Sequence, residues 1–144
     1  MAGYLDTYGA GEEQREKLIK TSALVLVAAL VLGGVLYFFF KNYRQEHRVK
    51  LFFESLARQD YQGAYGMWGC TQASPCRDYS FNEFMKDWGP QSGKSAGHVV
   101  KSRSCGSGVI LTVGYPGVQE DKLWVQRGDL IIGFSPWPGC PPGR

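Results

Sequence analysis

TSALVLVAALVLGGVLYFFF, residues Thr21 to Phe40, is a run of 20 residues without a charge. At a rise of about 1.5 Å per residue it makes a helix that matches a hydrocarbon core of about 30 Å. The chain therefore reads as a bitopic membrane protein: a cytoplasmic polar tail over residues 1–20, a transmembrane anchor over 21–40 and one small domain over 41–144. A cleaved signal peptide would carry a shorter apolar stretch, followed by small residues at a processing site. Here Phe38, Phe39 and Phe40 run directly into Lys41, Asn42, Tyr43 and Arg44, so an uncleaved anchor is expected. Tyr37 and the phenylalanines fall where an aromatic belt belongs, and Lys41 and Arg44 can snorkel to the headgroups. Nothing inside the run suggests a proton relay, an ion path or a voltage sensor.

Orientation is argued from two opposing signals. Arg15, Lys17 and Lys20 precede the run, whereas Lys41, Arg44, Arg48 and Lys50 follow it, so the positive-inside count leans towards a cytoplasmic C-terminal domain. The cysteines lean the other way. Cys70, Cys76, Cys105 and Cys140 all follow the anchor, and an even set confined to a small domain suits an oxidising compartment. The expected topology is N-terminus in and domain out, periplasmic in a bacterium. Four cysteines allow three connectivities. Cys70 with Cys76 closes a tight local loop and leaves Cys105 with Cys140 to staple a hairpin to the tail, which is the favoured pairing.

A metal site built from these cysteines with His47 or His98 is the competing reading. Structural zinc asks for knuckles closer in spacing than Cys70 to Cys76, and no second knuckle is present. A C-x-x-C redox site and a C-x-x-C-H haem attachment are also absent from the sequence. No metal and no cofactor are expected.

From Lys41 onward the chain holds 13 Lys and Arg against 9 Asp and Glu, with four of the positives beside the anchor. Lys101 and Arg103 make too small a basic patch for nucleic acid, which is excluded as a partner. The tail contains Gly3, Gly9 and Gly11 with mixed charges and too little apolar content for a core. It is expected to be disordered, with an adhesive strip for a partner as the alternative.

Beyond the anchor, Val49, Phe52, Phe53, Leu56, Ala57, Ala64, Tyr65 and Trp68 recur at helical spacing. Residues 42–58 read as a continuation of the anchor helix, with Gln59, Asp60 and Gly63 permitting a turn before a second helical piece near Trp68. Gly69 to Asp78 reads as a loop. Ser80 and Glu83 form a capping-box pattern for a short helix over Phe81 to Trp88, stopped by Gly89 and Pro90. After a small polar linker at Gln91 to Gly97 the pattern becomes strand-like. The expected strands are His98–Arg103, Val109–Tyr115, Lys122–Gln126 and Leu130–Phe134, with Arg127, Gly128 and Asp129 between the last two. Pro136, Pro138, Pro141 and Pro142 make the end an extended cap. Helices followed by a meander give an α+β domain, helices packed on a curved antiparallel sheet of about four strands.

At these residues a resemblance enters. RVKLFFESLARQDYQGAYGMW, Arg48 to Trp68, resembles the opening helix of membrane-anchored NTF2-like (cystatin-like) domains. FNEFMKDWG, Phe81 to Gly89, is similar to their second helix, and DKLWVQRGDLIIGF, Asp121 to Phe134, to their closing hairpin. The resemblance covers about ninety residues. It implies a cone-like sheet, left incomplete by the shortness of this chain. The layout also resembles that of the bitopic scaffold components of type IV secretion.

Several residues carry alternative readings. Arg127, Gly128 and Asp129 spell an integrin-binding tripeptide, but Gly and Asp between strands are what a tight turn requires. His98 beside Asp87 would make an acid/base pair, although no nucleophile or second carboxylate accompanies it. Trp68, Trp88 and Trp124 with His98 would line a ligand cleft, the alternative being core and cover. Ala29 with Gly33, and Leu30 with Gly34, place small residues one turn apart, as a helix–helix contact in a bilayer requires. No catalytic residues are assigned. The expected function is that of a non-catalytic accessory or assembly subunit of a cell-envelope complex, with the lipid bilayer and partner proteins as its surroundings. A small-apolar-ligand-binding or enzymatic NTF2-like domain is the alternative, and a thiol-redox protein using Cys70 and Cys76 the second alternative.

Overall fold

The computed structural model describes residues 10–140. The chain divides into two units, one ending at Lys41 and one beginning at Asn42.

In the first unit, helix α1 spans Ala10–Phe40. Among the described residues it supplies the one helix long and apolar enough to cross a membrane, and its apolar stretch is unburied. The helix begins well before the uncharged run, which corrects the expectation of a disordered tail for residues 10–20; residues 1–9 lie outside the described residues. Glu12 and Glu13 sit in the first turn, where they complement the helix dipole, and Glu16 pairs with Lys20 at 2.6 Å. Local charge placement thus favours helix where composition alone suggested disorder.

The second unit is α+β. Helix α2 spans Tyr43–Ala57 and buries Val49, Phe52, Phe53 and Leu56 on one face. A turn at Lys41 and Asn42 separates it from α1, where the periodicity suggested one unbroken helix. Its C-terminus closes as a Schellman motif: Gln59 N–H donates to Leu56 O and Asp60 N–H to Ser55 O, with Gln59 at φ 61°. Asp60 then caps α3, Tyr61–Gly66, by accepting from the Gly63 N–H at 2.9 Å. A Cβ at Gly63 would press on that carboxylate and force it to shift, so glycine lets the cap form undisturbed. Helix α4, Phe81–Trp88, starts with the capping box read from the sequence, Ser80 and Glu83 each satisfying the other's backbone.

Four antiparallel strands follow in the order β1 (His98–Cys105), β2 (Gly108–Tyr115), β3 (Val118–Gln126) and β4 (Ile132–Phe134). The β1–β2 turn places Gly106 first with φ 50°, as a two-residue hairpin with right-handed strand twist demands. Strand β3 begins four residues earlier than its apolar pattern, because Pro116 and Gly117, with Gly117 at φ 72°, make a tight hairpin turn that pairs Tyr115 with Val118. Strand β4 begins later than expected, since Leu130 takes a left-handed φ of 59° and leaves the strand line.

The two faces of the sheet are covered differently. Val109, Leu111, Val113, Leu123, Val125 and Ile132 share the core with Val49, Phe52, Leu56, Phe84 and Trp88 from the helices. Aromatic rings dominate: Phe52 meets Trp88 edge-on at 5.0 Å, and Trp68 meets Phe134 at 4.8 Å. On the opposite face the chain after β4 folds back. Lys122 Nζ donates to Pro138 O at 2.7 Å, Trp137 packs on Trp124 at 5.9 Å, and Cys140 bonds Cys105 at the end of β1. Ile110, which points to this side, is 4% exposed. Pro136 and Pro138 belong to this strap, whereas Pro141 and Pro142 lie outside the described residues. The second bridge, Cys70 to Cys76, closes the loop after α3.

Two stability outcomes are expected. Cys105→Ser releases the strap and should cost about 2–4 kcal/mol in denaturant unfolding of the detergent-solubilised protein. Gln59→Gly removes the left-handed penalty at the end of α2 and should raise stability by about 1 kcal/mol in the same assay.

Candidate functional site

A concavity beside α2 follows from the spacing of that helix. Tyr43, Glu46, His47, Lys50, Phe53, Glu54 and Ala57 recur every three or four residues, so they form a continuous stripe on one flank of the helix. The stripe faces the segment Ser95 to Val99, which leads into β1, and between them lies an open groove of about 610 Å³. Both histidines of the chain, His47 and His98, contribute to its lining. The His47 ring stacks on Tyr43 at 5.7 Å, and the His98 ring also approaches Gly114 of β2. Gly97 is required at the rim, because a Cβ there would collide with the Phe53 ring.

Polar bonds hold α2 to β1 at one end of this stripe. Ser102 Oγ donates to Glu46 Oε1 at 2.5 Å, and Ser104 Oγ donates to Asn42 Oδ1 at 2.7 Å. Glu46 is therefore engaged in joining helix to sheet. Among the described residues no group of three or more His, Cys, Asp and Glu is arranged to hold a metal ion. His47 and His98 share a groove but lack the further ligands a zinc site needs.

Asp87 is placed elsewhere. It accepts a hydrogen bond from Tyr79 Oη at 2.8 Å and is not part of the lining that includes His98, so the acid/base pair suggested by the sequence has other neighbours. Burial, with the hydrogen bond to Asp87 and its charge, pushes the Tyr79 phenol well above its ordinary range. Tyr115 is shifted in the same direction, first by burial and then by the charge of Asp121, to which its Oη donates at 3.1 Å. Asp121 also pairs with Lys94 at 2.7 Å, whose ammonium lies 5.2 Å from the Trp88 ring and 5.5 Å from that of Tyr115. This cluster fastens the linker before β1 to the sheet.

The tryptophans fall on two sides. Trp68 and Trp88 are in the helix-covered core, whereas Trp124 lies under the strap, its ring against Gly108. His98 is at the groove with neither set. Arg127, Gly128 and Asp129 form the β3–β4 turn: Arg127 Nε donates to Gly106 O at 3.2 Å, and Asp129 Oδ1 accepts from the Ile131 N–H. The arginine of the tripeptide is thus tied to the neighbouring turn. Cys70 is buried beside Trp68, with Cys76 partly exposed. On α1, Ala29 is exposed, and positions 33 and 34 have open space where a side chain would stand. Comparison with protein-family models, with curated proteins and with solved structures returns no match.

Tyr43, Lys50, Phe53 and Ser95 to Gly97 were not singled out by sequence reasoning as a site. The three-or-four spacing on α2 was legible, but the opposing wall comes from a linker whose position no periodicity encodes.

The raised phenols set a pH response. The unfolded chain ionises tyrosine near pH 10, while Tyr79 and Tyr115 stay protonated in the fold. Above that pH the unfolded state binds fewer protons than the native state, so stability falls as pH rises. Denaturant unfolding followed from pH 9 to 11 should show this decline, and the combination of Tyr79→Phe with Tyr115→Phe should flatten it.

Proposed function

We propose that this chain is a non-catalytic single-pass membrane protein, an accessory or assembly subunit of a cell-envelope complex. Its anchor joins neighbouring membrane helices, and its domain, on the extracytoplasmic side, docks partner proteins. The observation that carries the reading is the bare apolar length of α1, with open space at Gly33 and Gly34 one turn beyond Ala29 and Leu30. A helix of this kind is covered in a bilayer by lipid or by other helices, and small residues let a second backbone approach closely.

The domain supports a binding role more than chemistry. Trp68, Trp88, Phe52 and Phe84 fill the core, and the prominent tyrosine–carboxylate pairs join one segment to another. Two cysteine pairs at disulfide distance suit the oxidising side of a membrane, which favours N-terminus in and domain out. Helices on one face of a four-stranded antiparallel sheet support an NTF2-like (cystatin-like) assignment. The groove beside His47 and His98 favours a second reading, the capture of a small amphipathic ligand at the membrane surface. Burial of Cys70 favours a structural bridge over thiol exchange.

Mild detergent extraction of native membranes, native-gel separation and mass spectrometry test the reading. The protein should migrate with a large complex, and Gly33→Leu with Gly34→Leu should reduce that comigration while sparing membrane insertion. Migration of the wild-type protein alone would remove the subunit reading and leave the ligand-binding one.

A further inference from the structure

The sheet order makes β1 and β4 its edges, and among the described residues no strand pairs with the outer side of either. Strand β4 is three residues long, while β1 is eight. Across the β1–β2 turn Cys105 opposes Gly108, and hydrogen-bonded pairs recur at alternate positions, so the N–H and C=O of Ser102 are directed away from β2. The groove adjoins the start of this edge, with Tyr43, Phe53, Ala57, Ala96 and Val99 as its apolar members.

The edge also carries one sign of charge. Lys101 and Arg103 are exposed, and β1 contains no acidic residue. We propose that the β1 edge takes up an extended segment of a partner protein as a fifth strand. Apolar side chains at alternate positions of that segment enter the groove, and carboxylates at the intervening positions face Lys101 and Arg103. The proposal rests on the accessory-subunit reading and names the surface through which the domain docks.

A second copy of the chain fits this edge poorly. Antiparallel pairing of two β1 edges centred on Ser102 would set Lys101 of one against Arg103 of the other, and like charges directly opposite are destabilising. The irregular register between Val99 and Lys101, together with the two basic side chains, further discourages indiscriminate edge pairing. Selectivity for an acidic strand follows from the same features.

The test titrates full-length protein in detergent with fluorescent peptides of about eight residues, a typical strand length. One probe alternates valine with glutamate, a second alternates valine with lysine, and a third carries a central proline in the valine–glutamate sequence. The valine–glutamate probe should bind at least about tenfold tighter than the lysine probe, and proline should abolish binding. Lys101→Glu with Arg103→Glu should invert the preference. Ala96→Trp, which fills the groove from an exposed position, should weaken the valine–glutamate probe about tenfold without touching either charge. Circular dichroism and thermal melting verify that both variants fold. Equal affinity for the two alternating probes, no binding of the first, or dimerisation through β1 overturns the proposal. On native gels, a wild-type protein and a charge-reversed variant that comigrate equally with a complex overturn the edge site alone, whereas a wild type that migrates by itself overturns the subunit reading.

Discussion

A four-stranded sheet has two faces, and the three helices among the described residues of this domain cover one of them. The rest of this architecture follows from how the other face is closed. Ile110 and Trp124 point away from the helices, and without a cover they would present apolar area to water, at a cost of about 25 cal/mol per Å². A proline-containing segment cannot pair as a central strand, but it can lie across one. The chain after β4 does this, held by Trp137 on Trp124, by the Lys122 bond to Pro138 and by the covalent link between Cys105 and Cys140.

The same economy shapes the helical side. A tight cluster of rings, with Phe52 and Trp88 at its centre, replaces the larger aliphatic core that a longer chain would build. Aromatic rings fill the space between the helices and the sheet, and the groove beside His47 and His98 lies on the flank of α2.

Much of this was legible in local chemistry. Ser80 and Glu83 announced α4, the spacing of Val49 to Leu56 announced the buried face of α2, and the cysteine spacing suggested the pairing that the structure contains. Where reading and structure differ, the deciding term was either backbone conformation or long-range contact. The first part of β3, Val118 to Glu120, is exposed and holds one apolar residue, so no apolar alternation marked it; Pro116 and Gly117 did, through the turn they impose. Residues 10–20 looked too polar to order, yet their first-turn acids and the Glu16–Lys20 pair support a helix. The groove needed a linker to be folded against a helix, and no one-dimensional pattern specifies that. The cleft of Trp68, Trp88 and Trp124 looked plausible only because sequence does not say which face of a sheet a side chain occupies.

The bridge between Cys105 and Cys140 also determines how this domain would carry a mechanical load. Because the two cysteines are 35 positions apart and enclose β2, β3 and β4, tension applied to the ends of the chain crosses from one sulfur to the other. The hairpins between them hang from the bridge as a covalently closed ring and bear none of the pull. Stretching would strip α2 to α4 and β1 from the sheet while the ring kept its length, so the extension at full unravelling is shorter than the number of residues implies.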